Sequence, residues 1–119
     1  ITIVPRERIA TRSGEISKGK IVKDRELIDE IKKVIRVLRP IGHITFQCMK
    51  TLDGIKFIEI NPRFGGGAPM SIKAGANSPM NLYKLLMGEK LTYNEDYEDN
   101  MMALRFDDSI FINSNGEVV

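Results

Sequence analysis

Apolar residues recur at Leu27, Ile28, Ile31, Val34, Ile35 and Leu38, and a spacing of three and four residues predicts an amphipathic helix over 24–39. Asp24 can cap its first turn and Pro40 blocks its continuation. Glu26, Asp29 and Glu30 come early and Lys32, Lys33, Arg36 and Arg39 late, an order that complements the helix dipole. These charges read as a solvated face.

Elsewhere the pattern alternates. Residues 1–22 are extended and basic, broken at Ser13-Gly14 and Lys18-Gly19, which predicts two strands or a long irregular hairpin. Ile1-Thr2-Ile3-Val4 reads as a strand, and with Ile rather than Met in first place the chain is expected to begin inside a larger protein or to have been trimmed. Strands are predicted at Ile44–Lys50 and Lys56–Asn61, joined across Asp53-Gly54. A short helix is expected over Ser71–Ala74, broken by Gly75, and a second opens at Ser78-Pro79, runs through Leu82, Leu85 and Leu86 and stops at Gly88. Met70, Met80 and Met87 read as core filler, and Tyr93–Asp99 as a solvated loop. Met101–Phe106 and Ile110–Ile112 look like a closing pair of strands around Asp107-Asp108, with Asn115-Gly116 as a terminal turn. The expected class is α+β, a mostly antiparallel sheet with packed helices, in a single domain spanning 1–119.

The second hairpin has two candidate registers. A two-residue Asp53-Gly54 turn sets Cys48 opposite Glu59 and Phe46 opposite Asn61, mixing polar with apolar. An odd loop, Leu52-Asp53-Gly54 with Gly54 in a left-handed bulge, sets Phe46 against Ile60, Cys48 against Ile58 and Gln47 against Glu59. The faces then sort: Ile44, Phe46, Cys48, Ile58 and Ile60 toward a core, Thr45, Gln47, Glu59 and Asn61 on the other side. The odd loop is therefore the expectation.

Composition narrows the chemistry. A chain of 119 residues can bury roughly two thirds of its unfolded surface, enough for a compact core of its own. With 42% hydrophobic and 29% charged residues, and neither a repeat nor an apolar run near the ~18 residues of a membrane span, it reads as a soluble globular protein with no membrane partner and no targeting segment. The formal charge of +2 is small and the signs are interspersed, so nucleic acid is not the expected partner. The lone Cys48 points to a buried thiol in a reducing compartment, the cytoplasm. The lone His43 leaves little material for zinc or a histidine dyad and reads as a surface or strand-end residue.

On the polar face the Glu59 carboxylate and the amide oxygens of Asn61 and Gln47 suit a hard divalent cation. Arg63 follows within reach, and its planar fork suits two-pronged contact with phosphate oxygens. Gly65–Gly67 let backbone approach a ligand closely. Neither the Gly-Lys-Ser/Thr of a Walker loop nor a dinucleotide fingerprint is present.

The run FIEINPRFGGGAPMSIKAGANSP resembles the metal-binding strand and following segment of ATP-grasp enzymes, most closely the carbamoyl phosphate synthase large chain and relatives that ligate amino acids. HITFQCM resembles the preceding strand that brings the first metal ligand, and VPRERIATRSGEISKGK the segment after the strand that opens the second half of the module. The likeness spans roughly residues 1–87. It implies Gln47 and Glu59 as Mg²⁺ (or Mn²⁺) ligands, Asn61 as ligand to a second metal, Arg63 beside the transferred phosphoryl group, and Arg12 either facing the phosphates of ATP or serving as a structural strand arginine. The implied reaction passes the γ-phosphoryl of ATP to a small carboxylate substrate, giving an acyl phosphate that an amine or similar nucleophile attacks; catalysis there is positioning and charge neutralisation.

The N-terminal half of such a module carries phosphate-holding lysines and the adenine-binding hinge, and none precedes Ile1. The expectation is thus a C-terminal ATP-grasp portion of a longer ligase, inactive when isolated. The alternative is a non-catalytic remnant that packs or binds a partner. Assembly with further copies of itself stays open.

Overall fold

The computed structural model describes all residues, 1–119. Strands β1 (Arg6–Arg12) and β2 (Glu15–Ile21) form an antiparallel hairpin, followed by helix α1 (Arg25–Leu38), a second hairpin of β3 (Thr45–Thr51) and β4 (Gly54–Asn61), helices α2 (Ala68–Lys73) and α3 (Ser78–Leu86), and the short β5 (Met102–Leu104). The sheets are separate, one ordered β1-β2-β5 and one of β3-β4, all pairs antiparallel. The class is α+β, as the pattern predicts.

α1 starts and stops where its signals lie. The Leu27 N–H donates to the Asp24 carboxylate at 3.1 Å, and Arg39 turns left-handed (φ 46°) while its N–H closes on the Ile35 carbonyl at 2.8 Å. Lys50 of β3 reaches Asp24 at 2.9 Å and Glu26 at 2.7 Å, so the cap also ties the helix to the second hairpin. Asp24→Ala should remove about 1 kcal/mol of stability. The bond from Lys50 and the backbone N–H of Leu27 hold the Asp24 carboxyl below its ordinary range, so this contribution is complete above the ordinary carboxylate pKa of about 4 and fades as pH falls through the depressed value. Urea melts at pH 7 and pH 3 check it: the difference between wild type and variant should shrink at the lower pH.

The core lies where α2 meets the first sheet: Ile21, Met70, Ala74, Ala76 and Tyr97, with Val4, Ile16, Met101 and Ala103 around them. Gly19 makes this approach feasible, because a Cβ there would come within 3.1 Å of the Met70 methyl and would collide with Ile16 Cδ1. Helix α3 is capped by Asn77, whose side chain accepts from the Met80 N–H at 3.0 Å.

Several expectations are corrected. Ile1–Val4 is no strand; it touches the 92–97 segment through isolated bonds, Asn94 N–H to the Ile1 carbonyl (3.0 Å) and the Tyr97 hydroxyl to the Ile3 carbonyl (2.9 Å). Residues 93–99 are not merely solvated, since Tyr97 is 5% exposed and Glu95 takes a bidentate contact from Arg25 at 2.8 Å. Met70 is core filler, whereas Met80 and Met87 are exposed. Residues 102–104 pair with the free edge of β2 rather than with Ile110–Ile112, and Ile112 instead bridges Val118 across the Asn115-Gly116 turn.

The chain is also not compact by itself. Its radius of gyration is 17.1 Å, against roughly 13–14 Å for a compact domain of this length, and it exposes 8720 Å² where a folded monomer of its mass exposes about 6,500 Å². Ile58 and Ile60 of β4, expected in a core, are exposed, as are Phe57 beside them and Tyr83 and Leu86 of α3.

Candidate functional site

The β3–β4 hairpin reaches the expected site register by an unexpected route. Thr51 pairs with Gly54, so the loop is the two-residue Leu52-Asp53, not three residues; Gly54 is left-handed (φ 99°) but sits inside the ladder. This even loop sets Cys48 opposite Phe57 rather than Ile58. A β-bulge then absorbs Ile58, and beyond it Gln47 faces Glu59, Phe46 faces Ile60 and Thr45 faces Asn61. One extra residue in a strand reverses the parity of all pairs beyond it, so the bulge does what the odd loop was expected to do. Phe46 and Phe57 meet edge to face at 6.2 Å on the opposite side.

On the polar side Asn61 Nδ2 donates to Glu59 Oε1 at 2.8 Å, leaving the side-chain oxygen Asn61 Oδ1 without a hydrogen bond. The Glu59 carboxylate is exposed and in no ion pair. Arg63 is fixed at the strand's end by its N–H to the Asn61 carbonyl (2.8 Å) and by the Thr45 hydroxyl donating to its carbonyl (2.9 Å). Its guanidinium makes only a 3.2 Å contact to the Phe64 carbonyl.

The three glycines are explained by contact, not by left-handed backbone. A Cβ on Gly65 would lie 3.1 Å from the Thr45 side chain, one on Gly66 3.2 Å from the Glu15 carboxyl, and one on Gly67 3.3 Å from Arg6 Nε. The loop therefore presses against three walls of a groove of about 1660 Å³ that Gln47, Glu59, Asn61 and Arg63 also line. Phe64 stacks on His43 with centroids 4.2 Å apart and planes 18° off parallel. Burial, and then the Arg6 charge, lower the His43 pKa, which favours the neutral ring there.

Arg12 lies apart. Register irregularities between Arg8 and Thr11 break the alternation that would align it with Arg6 and Arg8, and it closes a bidentate pair with Asp107 at 2.6 Å. Arg6 and Arg8, not singled out from the sequence, line the groove instead. Arg8 Nη2 donates to Gln47 Oε1 at 3.2 Å and Arg6 Nη1 to Ser71 Oγ at 3.0 Å. The R-x-R step of Arg6-Glu7-Arg8 was the available signal, since residues two apart on a strand share a face.

The donor set fits a Mg²⁺ shared with phosphates. One carboxylate and two amide oxygens are too few for a cage built by protein alone, but Mg²⁺ commonly takes one or two carboxylates and completes its octahedron with phosphate oxygens and water. Gln47 Oε1 retains a second lone pair beside the bond from Arg8. No helix is long and apolar enough to cross a membrane.

A family model described as "ATP-grasp in the biosynthetic pathway with Ter operon" matches residues 1–106. No curated protein matches the chain.

Proposed function

Because the chain belongs to the ATP-grasp family, we propose that it is the metal- and phosphate-facing part of an ATP-dependent ligase that activates a small carboxylate as an acyl phosphate, in the manner of carbamoyl phosphate synthase. The observation that carries this reading is the single polar face of Gln47, Glu59 and Asn61, ending in Arg63. Mg²⁺ bound there would draw charge from the phosphate oxygens as the γ-phosphoryl group moves. Glu59 and the two amide oxygens would hold the cation. Arg63, which is in no ion pair, would meet the γ-phosphoryl oxygens, while Arg8 could turn from Gln47 to a neighbouring phosphate oxygen. A substrate carboxylate oxygen attacks phosphorus and ADP leaves with the bridging oxygen; an amine then attacks the acyl carbon and phosphate leaves. The chain's own groups form no covalent bond to substrate.

The N-terminal half of the module, in the cytoplasm, is the partner in this reading, and the exposed apolar surface on β4 and α3 supports it. A non-catalytic, partner-binding role is the rival, favoured by one detail: Gln47 and Glu59 already satisfy part of their hydrogen bonding through Arg8 and Asn61. NMR with Mn·ATP separates them. Paramagnetic broadening is expected at the side-chain amides of Gln47 and Asn61 and not at Asn113 or Asn115, and the complete module should release ADP when bicarbonate or an amino acid is supplied. Neither broadening nor acid-dependent ADP would leave the partner-binding role.

A further inference from the structure

Leaving aside the exposed Arg36 and Arg39, the arginines divide into two groups. Arg12, Arg25 and Arg105 each hold a carboxylate, Asp107, Glu95 and Glu15, at 2.6 to 2.9 Å. Arg6, Arg8 and Arg63, which line the groove, pair with none. Arg6 is the odd member of this second group. It is partly buried, its one side-chain bond goes to the neutral hydroxyl of Ser71, and a Cβ on Gly67 would lie 3.3 Å from its Nε. A guanidinium has five N–H donors, and taking one from water without a counter-charge is costly. Burial and the Arg8 charge together depress its pKa, the reverse of the carboxylate-paired Arg12 and Arg25. Such an arrangement is stable chiefly when an anion arrives.

Position says which anion. Arg8 touches Gln47 and so belongs with the metal and phosphates. Arg6 stands two residues further along β1, about 6.6 Å away at ordinary strand rise, against α2 instead of β3. We infer that Arg6 and Ser71 bind a second carboxylate of the acceptor acid, so that the substrate is a small molecule with two carboxylates, one activated near Arg63 and one anchored on Arg6. This rests on the ligase reading above. The anchor works by orientation: a fixed far end holds the reacting oxygen in line with the phosphoryl group.

Titration of the whole 119-residue chain, followed by NMR at the arginine Nε–H resonances, tests it with succinate, propionate, inorganic phosphate and Mn·ATP. Succinate should shift Arg6 and bind at least tenfold more tightly than propionate or phosphate. Arg6→Gln should weaken succinate at least tenfold, and that loss should exceed any loss for Mn·ATP by a similar factor; Arg6→Lys, which keeps the charge, should recover part of it. Phosphate binding as tightly as succinate, or Arg6→Gln acting mainly on Mn·ATP, would assign Arg6 to the nucleotide and overturn the inference. Variants that lower the melting temperature while leaving succinate affinity intact would make Arg6 structural and overturn it too. Succinate bound at Arg6 with neither Mn·ATP broadening nor acid-dependent ADP release by the complete module would leave the carboxylate site standing and remove the ligase reading.

Discussion

Glu59→Gln, in the complete module, should lower ATP-dependent turnover by at least ~10²-fold while the melting temperature hardly moves. The side chain loses its charge and little else, because the Asn61 Nδ2 bond at 2.8 Å can be accepted by the new amide oxygen and no ion pair is broken. An exposed substitution of this kind typically changes stability by within about 0.5 kcal/mol. Losing one electrostatic contact to developing charge, by contrast, costs about 10²–10³ in rate. Paired measurements of melting temperature and acid-dependent ADP release decide between the roles. A Glu59→Gln protein that unfolds, or that turns over normally, makes Glu59 structural and favours the partner-binding role. Ile60→Ala is the useful companion: Ile60 is 43% exposed in this chain, so truncation should cost less here than in a module that covers the face.

Ile21→Ala should be the most destabilising single truncation. Ile21 is fully buried at the centre of the small cluster with Met70, Ala74, Ala76 and Tyr97, and removing buried methyl groups from such a site costs about 2–5 kcal/mol. That is a large part of the roughly 5–15 kcal/mol that holds a domain together, and at about 4 °C per kcal/mol the melting temperature should fall by on the order of 10–20 °C. Circular dichroism melts would measure it, with the 81% exposed Val37→Ala as a control that changes little. A loss at Ile21 no larger than at Val37 would show that the packing of α2 on the first sheet does not carry the fold.

Local signals were reliable where local physics decides. The limits of α1 follow from Asp24 and Pro40, and those of α3 from Ser78-Pro79 and Gly88. Long-range choices were not legible. Which edge Met102–Leu104 joins depends on β2 offering an unpaired row of donors and acceptors, and the burial of Tyr97 depends on a groove between residues distant in sequence. The Ile58 bulge left no local mark, because its only effect is to restore parity between two strands.

Alternation thus put Glu59 and Asn61 on one face and Arg63 at its end, since period two along a strand is a property of the backbone, and the sorting of polar from apolar positions predicted Gln47 opposite Glu59. The tertiary structure decided the rest. It replaced the odd loop by a two-residue turn and a bulge, left the face of Ile60 half-uncovered, and paired Arg12 with Asp107 while bringing Arg6 and Arg8 into the groove. Irregularities in two ladders account for the register of the site and for the departure of Arg12 from it. A one-residue slip is set by the balance of packing on both faces of a sheet, which depends on neighbours that no stretch of sequence contains.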